Sequence, residues 1–187
     1  MVFVLFGVCA VSIDVHGLDE AQKFISSLGV TTKTILSESL NQLATKTKNN
    51  AIDDITKELN LSASFVKPKF IIEKSNAKRL IAKIRSKKKG LVLSHFDPIA
   101  SFIGNNRSAG VSVKVKKQRK TMKRAFMFRG KNGKNLIAIR TGKAKKAIKV
   151  LYGPSTSQAF DTFSDSLEKQ AFTDFDVIFN QELDRLL

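Results

Sequence analysis

Apolar and small residues recur every three or four positions between Thr31 and Leu59, at Leu36, Leu40, Leu43, Thr47, Ala51, Ile55 and Leu59. At about 3.6 residues per turn these positions share one stripe, so the spacing predicts an amphipathic helix of about eight turns. Its other face carries Lys33, Glu38, Lys46, Lys48, Asp53 and Lys57, and it is expected to pack across a sheet. Asn60 stops the helix and Ser62 can cap a further turn through Phe65. Pro68 is expected to forbid continuation, because proline pushes the preceding residue out of the helical region. A second stripe closes the chain. Ser155 and Gln158 form a capping box after the turn at Tyr152-Gly153-Pro154, and Phe160, Phe163, Leu167, Ala171, Phe175, Ile178, Glu182 and Leu186 then keep helical spacing. Phe172, Phe179 and Leu183 widen that stripe beyond what a surface helix needs, which fits either core packing or a subunit contact.

The middle of the chain follows a different period. Residues 70–74, 79–85, 90–96, 111–117, 124–129 and 135–140 are short runs of strand-like composition separated by Gly, Asn, Ser and Lys clusters. Val111, Val113 and Val115 alternate with Ser112, Lys114 and Lys116, which predicts one buried face and one cationic face. Asn132-Gly133, within Arg129 to Lys134, reads as a hairpin turn because both residues accept positive φ. Residues 100–109, with Gly104-Asn105-Asn106-Arg107-Ser108, read as an exposed, mobile loop. Upstream, residues 11–15 alternate like a short strand, and Gly17 releases a helix that starts near Leu18 and ends at Gly29. The whole predicts an α+β fold, with a mixed or antiparallel β-sheet, the long helix packed across it and a C-terminal helix.

Charge changes this picture most. The 187 residues carry a net charge of +17, but residues 1–66 hold five Lys/Arg against seven Asp/Glu, residues 67–150 hold 26 against two, and residues 151–187 hold two against seven. A basic β-rich segment between two mildly acidic helical parts is expected to face a polyanion, while a merely solubilising surface is the plainer alternative. The densest run supplies the candidate contacts: Lys114, Lys116, Lys117, Arg119, Lys120, Lys123 and Arg124. Such residues neutralise phosphates without reading sequence. With one Tyr and no Trp, stacking on single strands is weakly supported, so duplex backbone or an acidic protein surface is the expected partner.

Candidate chemistry is sparse. Cys9 is the single cysteine, and His16 and His95 have no second His or Cys at ligand spacing, so no metal site is expected. His95 and Asp97 fall on one side of an extended strand, where a nuclease-like or metal site is imaginable, but Glu73 is the only other acid in the basic segment. A strand end followed by a proline turn is the plainer reading. No phosphate-cradling glycine loop is present, and no cofactor or catalytic set is expected. The apolar residues 1–13 lack a basic leader and fall short of the roughly 20 residues a membrane helix needs, so no membrane role is expected. Residues 1–10 read as an upstream extension arising from a mis-assigned start.

The stretch Lys120-Thr-Met-Lys-Arg-Ala-Phe126, the Lys131-Asn-Gly133 turn, Ile137-Ala-Ile-Arg140 and the Leu151-Tyr152-Gly153-Pro154-Ser155 element with Gln158 resemble the second half of the tailed-bacteriophage minor tail protein Z family. Gly17-Leu-Asp19, the long helix with Ala51, and Leu61-Ser-Ala-Ser-Phe-Val-Lys67 resemble its first half more loosely. The resemblance implies a non-enzymatic tail completion protein, added at the head-proximal end of a tail and joining it to the head. It implies a virion location, other tail and neck proteins as partners, a homo-oligomeric ring of six, and contact with the genome end. On this reading residues 11–154 form one α+β domain with the basic segment 67–150 inside it, and residues 155–187 form a helix for assembly. A free, non-specific nucleic-acid-binding protein is the rival from another class.

Overall fold

The computed structural model describes residues 29–103, 107–142 and 147–186. The expectations for residues 1–28, including Cys9, His16, the first strand and the first helix, lie outside them. The predicted long helix is α1, Val30–Leu59. Every position of its expected stripe is buried, from Leu36 through Thr47 to Leu59. Asn60 ends it in the left-handed conformation, at φ 52° and ψ 44°, which Asn tolerates better than most residues. A short helix α2, Ala63–Val66, follows.

Pro68 does not end the helical path. Lys67 keeps helical angles, and residues Lys67–Lys69 form a 3-10 turn in which Pro68 sits at the first positions, where its missing N–H is not needed. The chain then forms β1 (Phe70–Glu73), β2 (Lys83–Ser86), β3 (Ile99–Ile103), β4 (Arg107–Lys114), β5 (Arg119–Lys123), β6 (Ala125–Arg129), β7 (Asn135–Arg140) and β8 (Ile148–Val150). These make three small antiparallel sheets, ordered β1-β2, β3-β4-β5 and β6-β7-β8. The fold is therefore α+β with antiparallel pairing.

Two expectations are corrected in this region. Residues 90–96 are not a strand: Val92 makes a single bridge to Tyr152, and Leu93–His95 form a 3-10 turn. Residues 100–103 and 107–109 are not loop but lie in the paired strands β3 and β4, with a register shift after Ser101, and residues 104–106 lie outside the described residues. The hairpin turn falls at Asn132-Gly133 as expected, but only Gly133 takes a positive φ, at 71°, in closing the β6–β7 hairpin.

The last helix, α3 (Thr156–Leu186), begins at the expected capping box. The Gln158 backbone N–H donates to Ser155 Oγ at 3.0 Å, and the Ser155 backbone N–H donates to Gln158 Oε1 at 3.0 Å. Along α1 it runs antiparallel: Asn50 faces Gln170, Lys46 pairs with Asp174, Gln42 donates to Glu182, and Glu38 pairs with Arg185. Leu167, Ala171 and Ile178 are buried in this pairing, so the inner part of the stripe is core. Near the sheets, Ile55 and Leu59 of α1, Phe70, Ile84, Phe96, Val111, Ile137 and Phe160 share one hydrophobic cluster. Asn41 clips α1 to the loop after β1, donating to the Ser75 carbonyl at 3.1 Å and accepting from its N–H at 2.8 Å.

Candidate polyanion interface

Valines 111 and 113 of β4 point into the core, so Ser112 and Lys114 must point away from it. In the β4–β5 ladder Ser112 faces Thr121, Lys114 faces Arg119 and Gly110 faces Lys123. Residues directly opposite share a face, so Lys114, Arg119, Thr121 and Lys123 form the outer face. Ile99, opposite Ser112 on β3, joins them and is 51% exposed. Lys120 lies opposite Val113, but β5 is the edge strand and the lysine is exposed at its rim. Lysines on an edge also discourage unwanted strand pairing.

The seven expected contacts divide into two groups. Lys116 pairs with Glu58 of α1 at 2.7 Å, and that contact holds the Glu58 carboxyl below its ordinary range. Arg119 reaches back to Asp97, donating to its carbonyl at 2.9 Å and pairing with its carboxylate, and also donates to Ser112 Oγ at 3.3 Å. Asp97 has φ 45°, an uncommon conformation for a residue before proline, and Arg119 ties that turn to the sheet. These two cations serve the fold. Lys114, Lys117, Lys120, Lys123 and Arg124 form no ion pair among the described residues. Arg124 is not in a strand as expected; at φ 64° it is the joint between β5 and β6.

The imagined His95–Asp97 pair does not form. The 3-10 turn at Leu93–His95 and the left-handed Asp97 replace the extended strand that would have aligned them. The His95 ring instead lies 4.1 Å from Phe65, tilted by 34°, and Lys69 Nζ sits 4.8 Å from the centroid of the same Phe65 ring. No group of three or more metal-ligating side chains occurs among the described residues. Partial burial lowers the His95 pKa, and Lys69 and Lys134 lower it further.

The folded chain therefore holds the His95 proton less tightly than the unfolded chain. His95 costs no stability above its ordinary value of 6.5, and stability falls as the pH drops below that value, until the depressed folded pKa is passed. Melting temperatures between pH 8 and pH 5 are expected to fall more steeply in the wild type than in His95→Gln. Parallel curves would show that the histidine is not the titrating group.

Residues 151–155 are stitched into the fold. The Leu151 N–H donates to the Ile137 carbonyl at 2.8 Å, Leu93 N–H donates to Leu151 at 3.4 Å, Gly153 N–H donates to Leu91 at 2.7 Å, and Leu91 N–H donates to Pro154 at 3.3 Å. Tyr152 is half exposed, and Ser155 caps α3. The segment thus fastens residues 91–96 to β7 and launches the last helix. Lys87-Lys88-Lys89, three consecutive exposed cations in the loop after β2, lie outside the expected contacts because the run from Lys114 to Arg124 is longer and denser in charge.

Among the described residues, no helix is long and apolar enough to cross a membrane. No curated protein matches the chain, and no solved structure matches it. The family model described as prophage minor tail protein Z (GPZ) matches residues 15–187, which include the whole of the cationic face and the 151–155 clasp. The chain belongs to the prophage minor tail protein Z family, and its role is structural, in a phage tail and in association with other tail proteins.

Proposed function

We propose that this chain completes the head-proximal end of the tail and joins it to the head, as a ring component without catalytic activity, with its β4–β5 face against the genome end. The observation that carries this reading is a group of cations on and beside β4 and β5 that form no ion pair among the described residues: Lys114, Lys117, Lys120, Lys123 and Arg124, of which Lys117 acts only at longer range on the Glu58 carboxylate. Cations left unpaired by their own fold gain most from a polyanion, and a DNA backbone needs no base-specific donors to bind them. A ring of six copies fits a six-fold tail tube. Family membership favours this reading over a free nucleic-acid-binding protein.

The test replaces those five residues with glutamine, sparing Lys116 and Arg119 because they hold the fold. Wild-type protein is expected to bind duplex DNA with log K falling against log salt at a slope of about −4 to −5. The variant should lose most of that slope, and phage carrying it should fail to join heads to tails or to retain DNA. Normal particles retaining their DNA would overturn the proposal. Defective particles together with a flat salt dependence in the wild type would point to an acidic protein partner instead.

A further inference from the structure

Helix α3 has an outward stripe that neither α1 nor the sheets cover. Asp161, Asp165, Glu168, Phe172 and Asp176 follow one another at steps of three and four, so they share a face. All four acids are exposed and none has an ion pair among the described residues, while Asp174 and Glu182, on other faces, are paired with Lys46 and Arg185. Phe172 stands among the carboxylates 51% exposed. The stripe is thus an apolar residue among four carboxylates with the exposed Lys169 at its edge, and its net charge is negative.

The same chain carries the complement. On β1, Ile71 is 56% exposed and lies opposite Arg85, which pairs with Glu73 at 2.8 Å. The strand that holds Arg85 runs on into Lys87, Lys88 and Lys89, all exposed and without acidic partners among the described residues. This surface is an apolar residue within a field of positive charge. It is separate from the β4–β5 face.

Within one copy the first acid of the stripe, Asp161, lies only about 7.5 Å along the helix from Thr156, but the Phe172 and Asp176 end cannot reach this surface. Thr156 Oγ1 donates to the Lys87 carbonyl at 3.4 Å, which fixes the lysine loop at the start of α3. Phe172 is 16 residues further on, or about 24 Å along a helix rising 1.5 Å per residue. We infer that the α3 stripe of one copy docks on the Ile71 and Lys87–Lys89 surface of a second copy. A patch that meets a different patch on the next copy makes a head-to-tail contact, the kind that closes into a ring. The inference rests on the ring proposed above and supplies its repeated contact.

The experiment uses sedimentation velocity on the full chain at about 50 mM and about 500 mM salt. Wild-type protein is expected to self-associate at low salt and dissociate at high salt. The D165K/E168K/D176K variant presents two cationic patches and the K87E/K88E/K89E variant two acidic ones, so each alone should associate at least about tenfold more weakly. Mixed in equal amounts, they should associate again, because every junction between unlike copies pairs opposite charges. Circular dichroism melting checks that each variant folds. A wild type that stays monomeric at low salt, either variant associating like the wild type, or a mixture that stays dissociated overturns the inference. The five-glutamine variant of the β4–β5 face is expected to self-associate normally, so failure of this contact and failure of the DNA reading are separate results.

Discussion

Replacing Gly153 with alanine is expected to lower the melting temperature by roughly 4–8 °C, from about 2 kcal/mol of overpacking in a chain of this size. An added Cβ would stand 2.8 Å from Phe96 Cε2 and 3.2 Å from both Phe96 Cζ and Leu93 Cδ2. Phe96 is fully buried, so its ring cannot swing into solvent to make room. The backbone cannot retreat easily either. Gly153 donates to the Leu91 carbonyl at 2.7 Å, and the space on its other side is taken by Gly90, where a Cβ would stand 2.8 Å from the Gly153 carbonyl. Two glycine backbones lie against each other there, one from the clasp and one from the segment it fastens. Phe96→Leu frees volume at the point of conflict, so the double variant should lose less than the sum of the two single losses. An unchanged melting temperature for Gly153→Ala would show that Phe96 does not approach Gly153 this closely.

Leu167→Ala should cost more, about 2–5 kcal/mol, because Leu167 is fully buried between α3, α1 and the core and its loss leaves a cavity. Phe172→Ala, five residues along the same helix, should change stability by no more than about 0.5 kcal/mol, since its ring is half in water. Chemical denaturation of both variants reads the contrast directly. It also decides what α3 is. If the helix were only an appendage for assembly, neither substitution would matter to the fold. If its aromatic stripe were all core, both would.

The two long helices are legible in the sequence because each is written in a single period. All seven stripe positions of α1 are buried, and the Ser155–Gln158 box sits where it was expected. Local turn chemistry was equally readable at Asn60 and Gly133. What is not legible in the sequence is set by distant partners. Residues 93–95 have strand-like composition, but their place beneath the 151–155 clasp wound them into a 3-10 turn. The strand β5 is mostly Lys, Arg and Thr, a composition that reads as a solvated run until β4 is there to pair with it. For the candidate interface, counting located the charge but could not sort it. Arg119 looks like its neighbours in sequence, and only the carbonyl and carboxylate of Asp97, 22 residues earlier, mark it as a structural tie. Lys116 is likewise spoken for by Glu58, which lies on another element.

The pairing of α1 with α3 also governs how the chain reaches its folded state. Glu38 meets Arg185 at a sequence separation of 147, so the cover for α1 is synthesised long after α1 itself. Until then Leu43 and its neighbours along the helix lack the Ala171 and Ile178 side chains that bury them. Closing so long a loop is slow, and an unclothed apolar ridge in the interval invites association with other nascent chains. Burial of α1 therefore waits for the synthesis of α3, and a chain cut short before α3 would leave its most regular element with nothing to rest on.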